Sequence, residues 1–219
     1  MKNKKSVFIT IEGGEGCGKT TQSELLKKYL ESKGLTVILT REPGGSDVAE
    51  QIRNILLNPR NNISSFCELM LYEAARIQHL QEVIKPNLKK GYVVICDRFT
   101  DSTLAYQGYA RGVDKDVIVK LNNIATEGIK PDLTIYLDIK PSKGIKKAIT
   151  VNKGSFTGGD RIERENIYFH YKVRRGFLAI ARKYPKRIKK INTNNIIEKT
   201  QKKINIEIDK FFKKKKLYV

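Results

Sequence analysis

The first chemistry legible in this chain lies in nine residues, "GGEGCGKTT", from Gly13 to Thr21. They fit G-x-x-x-x-G-K-[ST] at Gly13, Gly18, Lys19 and Thr20. Glycines at such positions let backbone N–H groups turn inward around an anion, and a helix opening at Lys19 would add its positive end. The loop residues Gly13, Gly14, Glu15, Gly16, Cys17 and Gly18, followed by Lys19, Thr20 and Thr21, are therefore expected to bind the phosphates of ATP. Lys19 reaches the outer phosphates. The Thr20 hydroxyl is a candidate ligand for Mg²⁺, an ion that prefers oxygen. Glu15 is discordant, because a carboxylate beside phosphates suffers Coulomb repulsion. Either it is solvated and turned away, or it meets a sugar hydroxyl or an arginine. Cys17 reads as a small filler residue, with a reactive thiol as the alternative.

The fate of the phosphate depends on what faces the loop. A motor or a switch needs a water-activating residue and loops that sense the γ-phosphate, whereas a transferase needs a second pocket. Arg41, Arg53, Arg76 and Arg98 all fall at or near the carboxyl ends of expected strands, where ligands of parallel sheets bind. Arginine suits phosphate because its planar fork donates in pairs and keeps its charge. Asp97 closes the apolar run "VVICD" and resembles the aspartate that helps hold Mg²⁺ in phosphate-loop proteins.

Positioning these groups calls for alternating strands and helices. Apolar runs at 6–11, 36–40, 92–96, 133–138 and 187–192 read as strands, the middle ones nearly continuously apolar, as parallel strands covered on both faces should be. Helical spacing marks 20–33, 47–57, 65–85, 115–127, 141–150, 163–184 and 196–213. Asp47 with Glu50, and Ser65 with Glu68, have capping-box spacing. The expected fold is α/β, a doubly wound five-stranded parallel sheet of the phosphate-loop NTPase type with helices on both faces. The 219 residues suffice for one domain, 1–219, with a glycine-rich segment at about 150–163 placed to act as a lid.

The composition sets further bounds. Three scattered cysteines give no disulfide framework or zinc pattern and fit a reducing cytoplasm. No apolar run approaches the ~20 residues of a membrane span. The net charge of +20 is spread along the chain, with one dense run at Lys213–Lys216, so neither specific nucleic-acid binding nor a membrane surface is expected.

"GGEGCGKTT", "TREPGG", "LMLYEAARIQHL", "DRFTDSTLAYQGYARG" and "PDLTIYLD", in that order from about 6 to 192, resemble the thymidylate kinase family. The resemblance implies transfer of the γ-phosphate of ATP to dTMP, giving dTDP and ADP, with Mg²⁺, in a homodimer for which 65–85 is plausible interface material. It implies that Tyr72 stacks on thymine, where the family often has Phe, and that Arg76 contacts the base. Arg53 and Arg98 would contact the dTMP phosphate, Arg98 also bridging toward the γ-phosphate. Glu42 and Pro43 of "TREPGG", with Thr103 and Gln107, would line the acceptor pocket. Tyr106 would pack against C2′ of the sugar, Glu15 would meet the 3′-OH, and Asp97 would position Mg²⁺ with Thr20. The loop carries no arginine, so the implied type supplies a catalytic basic residue from the lid. Here the lid departs from the family's pattern, with Lys153 where related lids often place arginine, and with Arg161 in "DRIE". Lys19, Arg98, Asp97, Arg161 and Lys153 are thus the catalytic candidates, Arg161 favoured over Lys153. A kinase for dUMP or UMP, and a phosphate-loop regulatory module without turnover, are the rival readings.

Overall fold

The computed structural model of the protein describes residues 6–151, 159–193 and 196–216. Among them, five parallel strands form one sheet in the order β2-β3-β1-β4-β5: β1 Val7–Gly13, β2 Val37–Arg41, β3 Val93–Asp97, β4 Leu133–Asp138 and β5 Ile188–Asn192. The central strands β1 and β4 are buried along their whole length, which is why their sequences run apolar without strict alternation. β1 lies between β3 and β4, so a crevice opens beyond its C-terminal end, and Gly13–Lys19 stands at that crevice.

Alternation along β1 divides the core into layers. Ile9 and Ile11 pack with Leu26 and Leu30 of α1 (Lys19–Glu31) and with Ile204, Ile208 and Phe212 of α9 (Ile197–Lys215). Phe8 points to the opposite layer, toward Leu80, Ile84 and Phe99. A third cluster joins Tyr136 and Tyr106 to Phe169, Val173 and Phe177 of α8 (Ile167–Lys183), with Phe177 stacked on Tyr136 at 5.2 Å. The second face of β1 also carries Thr10 and Glu12, both fully buried. Thr10 shares a 2.7 Å hydrogen bond with Thr134, so the sheet interior there is polar but satisfied.

Several element boundaries depart from expectation. The helix at 65–85 is α3 (Ser65–His79), a π-helical turn at Leu80–Ile84, and α4 (Lys85–Lys89). The expected 163–184 helix begins at Ile167, where Asn166 caps it by accepting from the backbone N–H of Phe169 at 2.9 Å. Residues 100–110 contain α5 (Thr100–Thr103) and a π-helical segment, Leu104–Ala110, which strand and loop patterning did not indicate. Neither capping box forms. The N-cap of α2 (Asp47–Leu57) is Ser46 and that of α3 is Ser64, without side-chain caps, while Glu50 and Glu68 bond elsewhere. α6 (Lys115–Ala125) and α7 (Pro141–Val151) match their expected spans closely. Of the segment read as a lid, residues 152–158, Lys153 included, lie outside the described residues.

Candidate active site

The phosphate loop takes a shape that only glycine tolerates. Gly16 has φ +63, and a Cβ there would lie 1.9 Å from the carbonyl oxygen of Gly144 in α7. Gly13 has φ +153, and a Cβ on it would sit 2.6 Å from the Leu137 carbonyl of β4. Gly18, with φ +92, is the N-cap of α1, so the first turn of that helix opens into the loop. The buried Lys19 ammonium curls back and donates to the Gly14 carbonyl at 3.0 Å. Cys17 is buried against the same loop. Burial pushes its thiol above the usual range, only partly offset by the Lys19 charge, which fits a filler residue.

The Thr20 hydroxyl donates to Asp97 Oδ2 at 3.2 Å. The other carboxylate oxygen, Oδ1, is sealed from solvent and has no hydrogen-bond partner among the described residues. A hydroxyl, a carboxylate and an orphaned oxygen beside a phosphate loop form a hard oxygen donor set, so these residues fit a divalent cation.

Across from the loop lies a cavity open to solvent. Glu15, Glu42, Pro43, Arg53 and Tyr72 line one part of it, and Arg76, Arg98, Thr103, Tyr106 and Gln107 another. Ten residues singled out in sequence, scattered from 15 to 107, thus meet around one space. Arg98 sits at its centre, in the left-handed region with φ +72, a conformation uncommon for a residue with a side chain. Its backbone N–H donates to the Ile11 carbonyl at 3.0 Å, and its guanidinium donates to the Gly13 carbonyl at 2.8 Å, to the Tyr106 hydroxyl at 3.1 Å and to Glu15 at 2.6 Å. The Tyr106 hydroxyl also donates to Glu15, at 2.6 Å. Burial alone would raise the Glu15 carboxyl, yet Arg98 and Lys19 outweigh it and hold the group down at about 2. Of the two readings of Glu15, the carboxylate that approaches an arginine is the one observed.

Arg76 is buried and almost saturated. Its Nε donates to Glu42 at 2.8 Å, Nη1 to Glu73 at 3.0 Å and Asn122 at 2.8 Å, and Nη2 to Thr103 at 2.9 Å. Arg53 donates to the carbonyl of Pro43 at 2.8 Å, across a cis Glu42–Pro43 peptide. Burial, then the neighbouring Arg41, push its guanidinium down from its ordinary value. Burial pushes the Tyr72 phenol up, leaving its ring neutral at the cavity wall. Arg41 itself does not join the cavity. It ends β2 at the sheet's carboxyl edge, as expected, but it is half-exposed and pairs with Glu50 at 2.8 Å instead of facing the cavity.

The sequence model of the thymidylate kinase family matches residues 11–204, a span that takes in the loop and every residue lining the cavity. The chain belongs to the thymidylate kinase family. It is 54% identical over 177 residues to a thymidylate kinase of Geotalea daltonii, covering 80% of this chain and 83% of that one. With a thymidylate kinase of Clostridium novyi it shares 48% identity over 196 residues, covering 89% and 94% of the two chains. The crystal structure of a thymidylate kinase from Ehrlichia chaffeensis superposes with a TM-score of 0.75 at 37% identity, covering 93% of this chain and 98% of that one.

Within this member of the family the lid arginine is held elsewhere. Arg161 donates from Nε to the Leu56 carbonyl at 2.7 Å, and its Nη2 forms a close ion pair with Glu68 at 2.6 Å without hydrogen-bond alignment. The alternative pairing with Asp160 or Glu165 is not the one observed. Asp160 and Ile162 line the cavity on either side, while the Arg161 guanidinium turns toward α3. Asp160 caps the following turn by accepting from Ile162 and Glu163 N–H, both at 2.9 Å, and burial with the Glu15 charge pushes its carboxyl up to about 6.

Sequence reasoning missed the groups behind the wall. Glu68 is fully buried and accepts from Gln107 at 2.7 Å and from two nitrogens of Arg111 at 3.1 Å. Glu12, also fully buried, accepts from the Phe99 N–H at 2.8 Å and the Ser102 hydroxyl at 2.5 Å, and so clamps the turn that carries Arg98. A signal was present for the first. Glu68, Tyr72 and Arg76 recur every four residues and share one face of α3. For Glu12, a carboxylate closing an otherwise apolar strand was the available sign.

Proposed function

We propose that the chain transfers the γ-phosphate of ATP to dTMP, yielding dTDP and ADP. It is a phosphotransferase of its family, and the observation that carries this reading is Glu15. That residue belongs to the phosphate loop, lines the acceptor cavity, and is joined to Arg98 at 2.6 Å, so donor and acceptor sites share a wall. An oxygen of the acceptor phosphate forms a bond to the γ-phosphorus as the bond from that phosphorus to the β-bridging oxygen breaks, and ADP leaves with the electron pair. The protein's part is placement and charge. Lys19 and the loop N–H groups hold the donor phosphates. Arg53 and Arg98 hold the acceptor phosphate, and Arg98 leans on the loop through Gly13 and Glu15. Mg²⁺, held by Thr20 and Asp97, supplies further neutralisation of the phosphates when bound. In the acceptor site Tyr72 stacks on the base, Arg76 meets its carbonyl, and Tyr106 occupies the space a ribose 2′-OH needs. With Arg161 tied to Glu68 and Leu56, the lid's direct basic contribution falls to Lys153.

A second copy of the chain fits against α3, which exposes Phe66, Met70 and Ile77 along one stripe, so we read the working state as a homodimer. The three cysteines are free thiols, which suits a cytoplasmic enzyme. None of the described helices is long and apolar enough to cross a membrane.

An ADP-release assay with dTMP, dUMP, UMP, ribo-TMP and dCMP tests the reading. We expect dTMP to give the highest kcat/KM, with dUMP closest, because one methyl group is worth only about 1–3 kcal/mol in a pocket. ADP release independent of any monophosphate, or a preference for UMP, would sink it.

A further inference from the structure

We infer that Glu68, which touches no part of the cavity, determines which base the cavity accepts by fixing the amide of Gln107; this rests on reading the cavity as the acceptor-nucleotide site. Gln107 is 1% exposed and lines the cavity, whereas Glu68 is 0% exposed and lies behind it. Two Arg111 N–H donors and the charge of the Arg161 guanidinium converge on the Glu68 carboxylate. Burial would raise this carboxyl, but the Arg111 and Gln107 hydrogen bonds hold it below the usual range. An ionised carboxylate only accepts. The group that Gln107 turns toward it must therefore be the NH₂, 2.7 Å from Oε1. The amide carbonyl oxygen then has no partner among the described residues, and it is not sealed from the cavity.

The opposite wall has the complementary polarity. An arginine has five N–H donors, and Arg76 uses its Nε, both Nη1 protons and one Nη2 proton on Glu42, Glu73, Asn122 and Thr103. One Nη2 proton remains. A donor on Arg76 and an acceptor on Gln107 match an imide edge, which offers a carbonyl oxygen beside an N–H. A 4-aminopyrimidine offers the reverse, an amine beside a bare ring nitrogen, and would leave that nitrogen facing the Gln107 carbonyl. Sites that hydrogen-bond a substrate reject the mismatched analogue strongly, because buried polar groups are left unpaired. Gln107 would serve either base equally if its amide were free to turn over. Glu68 removes that freedom and is a positioning residue for specificity.

The isosteric Glu68→Gln exchange tests this. Oε2 of Glu68 meets two arginines, whereas Oε1 meets Gln107 and only one. The introduced carbonyl will take the Oε2 place and the introduced NH₂ the Oε1 place. Gln107 must then turn its carbonyl inward and its NH₂ toward the cavity. We expect the ratio of kcat/KM for dTMP over dCMP to fall at least about tenfold in Glu68→Gln. The swapped variant, Glu68→Gln with Gln107→Glu, again places an acceptor on the cavity side and should restore the preference. A structural role alone would shift thermal stability in both variants and leave the ratio unmoved. A ratio within about twofold of wild type in folded Glu68→Gln, or a folded swap that has lost its preference, overturns the inference. Should Glu68→Gln not fold, the swap decides alone, since it conserves net charge. Wild-type protein that phosphorylates neither nucleotide would instead indict the acceptor-site reading itself.

Discussion

The phosphate loop presents backbone to its crevice; the cavity opposite presents buried side chains. The loop is shaped by three glycines with positive φ and by two close approaches, Gly16 against Gly144 and Gly13 against Leu137. Its active groups are amide N–H bonds plus Lys19, and nothing more distant than the neighbouring strand and helix is needed to shape it. The cavity is held by ion pairs between segments far apart in sequence: Arg76 with Glu42, Arg98 with Glu15, Arg161 and Arg111 with Glu68. A buried pair of this kind costs desolvation and is strongly destabilising to break, but it fixes geometry. On the reading proposed above, the donor site is a device used by many proteins, and the acceptor site is one assembled from distant segments whose details would decide the substrate.

The sharpest break in that comparison comes from Lys19. Among the described residues it bonds only to its own loop, at Gly14 and weakly at Cys17, so removing it should leave the rest of the molecule standing. We expect Lys19→Ala to lower kcat by roughly a hundredfold to a thousandfold, the range for a deleted charge that acts mainly on the transition state. The circular dichroism spectrum should stay as in wild type. Near-normal turnover from a folded variant would refute the phosphate-loop assignment.

What was legible in the sequence follows the same division. Strand positions, the loop and its helix could be read from contiguous residues, because each is specified within about twenty positions. Acceptor residues such as Arg53, Arg98 and Gln107 could be named by resemblance, but their partners could not. Glu50 and Glu68 looked like capping residues because capping needs only a spacing of three, whereas Glu50 bonds Gly45 and Arg41 across the turn before its helix, and the partner of Glu68, Arg111, depends on tertiary packing. The helical segment from Thr100 to Ala110 escaped for a related reason. It begins directly after the strained turn at Arg98, and its buried face mixes Ser102, Thr103 and Gln107 with Ala105 and Tyr106, so no apolar stripe announces it.

Arg161 is where the two regions should separate more gently. The sequence presents it as a lid arginine acting on the γ-phosphate, which would put a loss of about a hundredfold or more on Arg161→Ala at saturating ATP and dTMP. Its contacts instead make it a strut between Leu56, Glu68 and the cavity rim at Asp160. A strut should cost stability more than rate. We expect kcat to fall by less than about tenfold and the melting temperature to drop by several degrees, because Glu68 loses one of its buried counter-charges. A hundredfold loss of kcat at unchanged melting temperature would return Arg161 to the reacting phosphate. Lys153→Ala, measured beside it, shows which basic residue serves there.

The smallest effect is a matter of pH and belongs to Glu12, the hidden clamp of the Arg98 turn. Burial, then the nearby charge of Asp101, push its carboxyl up to about 8, and the bonds from Ser102 and Phe99 offset this only in part. The sign follows from proton counting. Between the ordinary carboxylate value and about 8, the folded protein keeps a proton that the unfolded chain has released, so stability contributed by this group declines as pH rises across that window. Glutamine is the uncharged isostere of the protonated form. Its carbonyl can still accept from the Phe99 N–H, and its NH₂ can donate to the Ser102 oxygen once that hydroxyl, which now donates to Glu12, turns its proton away. Glu12→Gln should therefore match wild type near pH 5 and gain on it steadily to pH 8. We expect the difference in melting temperature to widen by at least about 3 °C over that range, since ~1 kcal/mol corresponds to about 2–4 °C in a chain of this size. A difference that stays flat from pH 5 to pH 8 would mean that Glu12 is already ionised in the folded protein, with Arg98 close enough to compensate it. The strained turn would then be held by a charged contact rather than a neutral one, and the cavity side of the molecule would be electrostatic throughout.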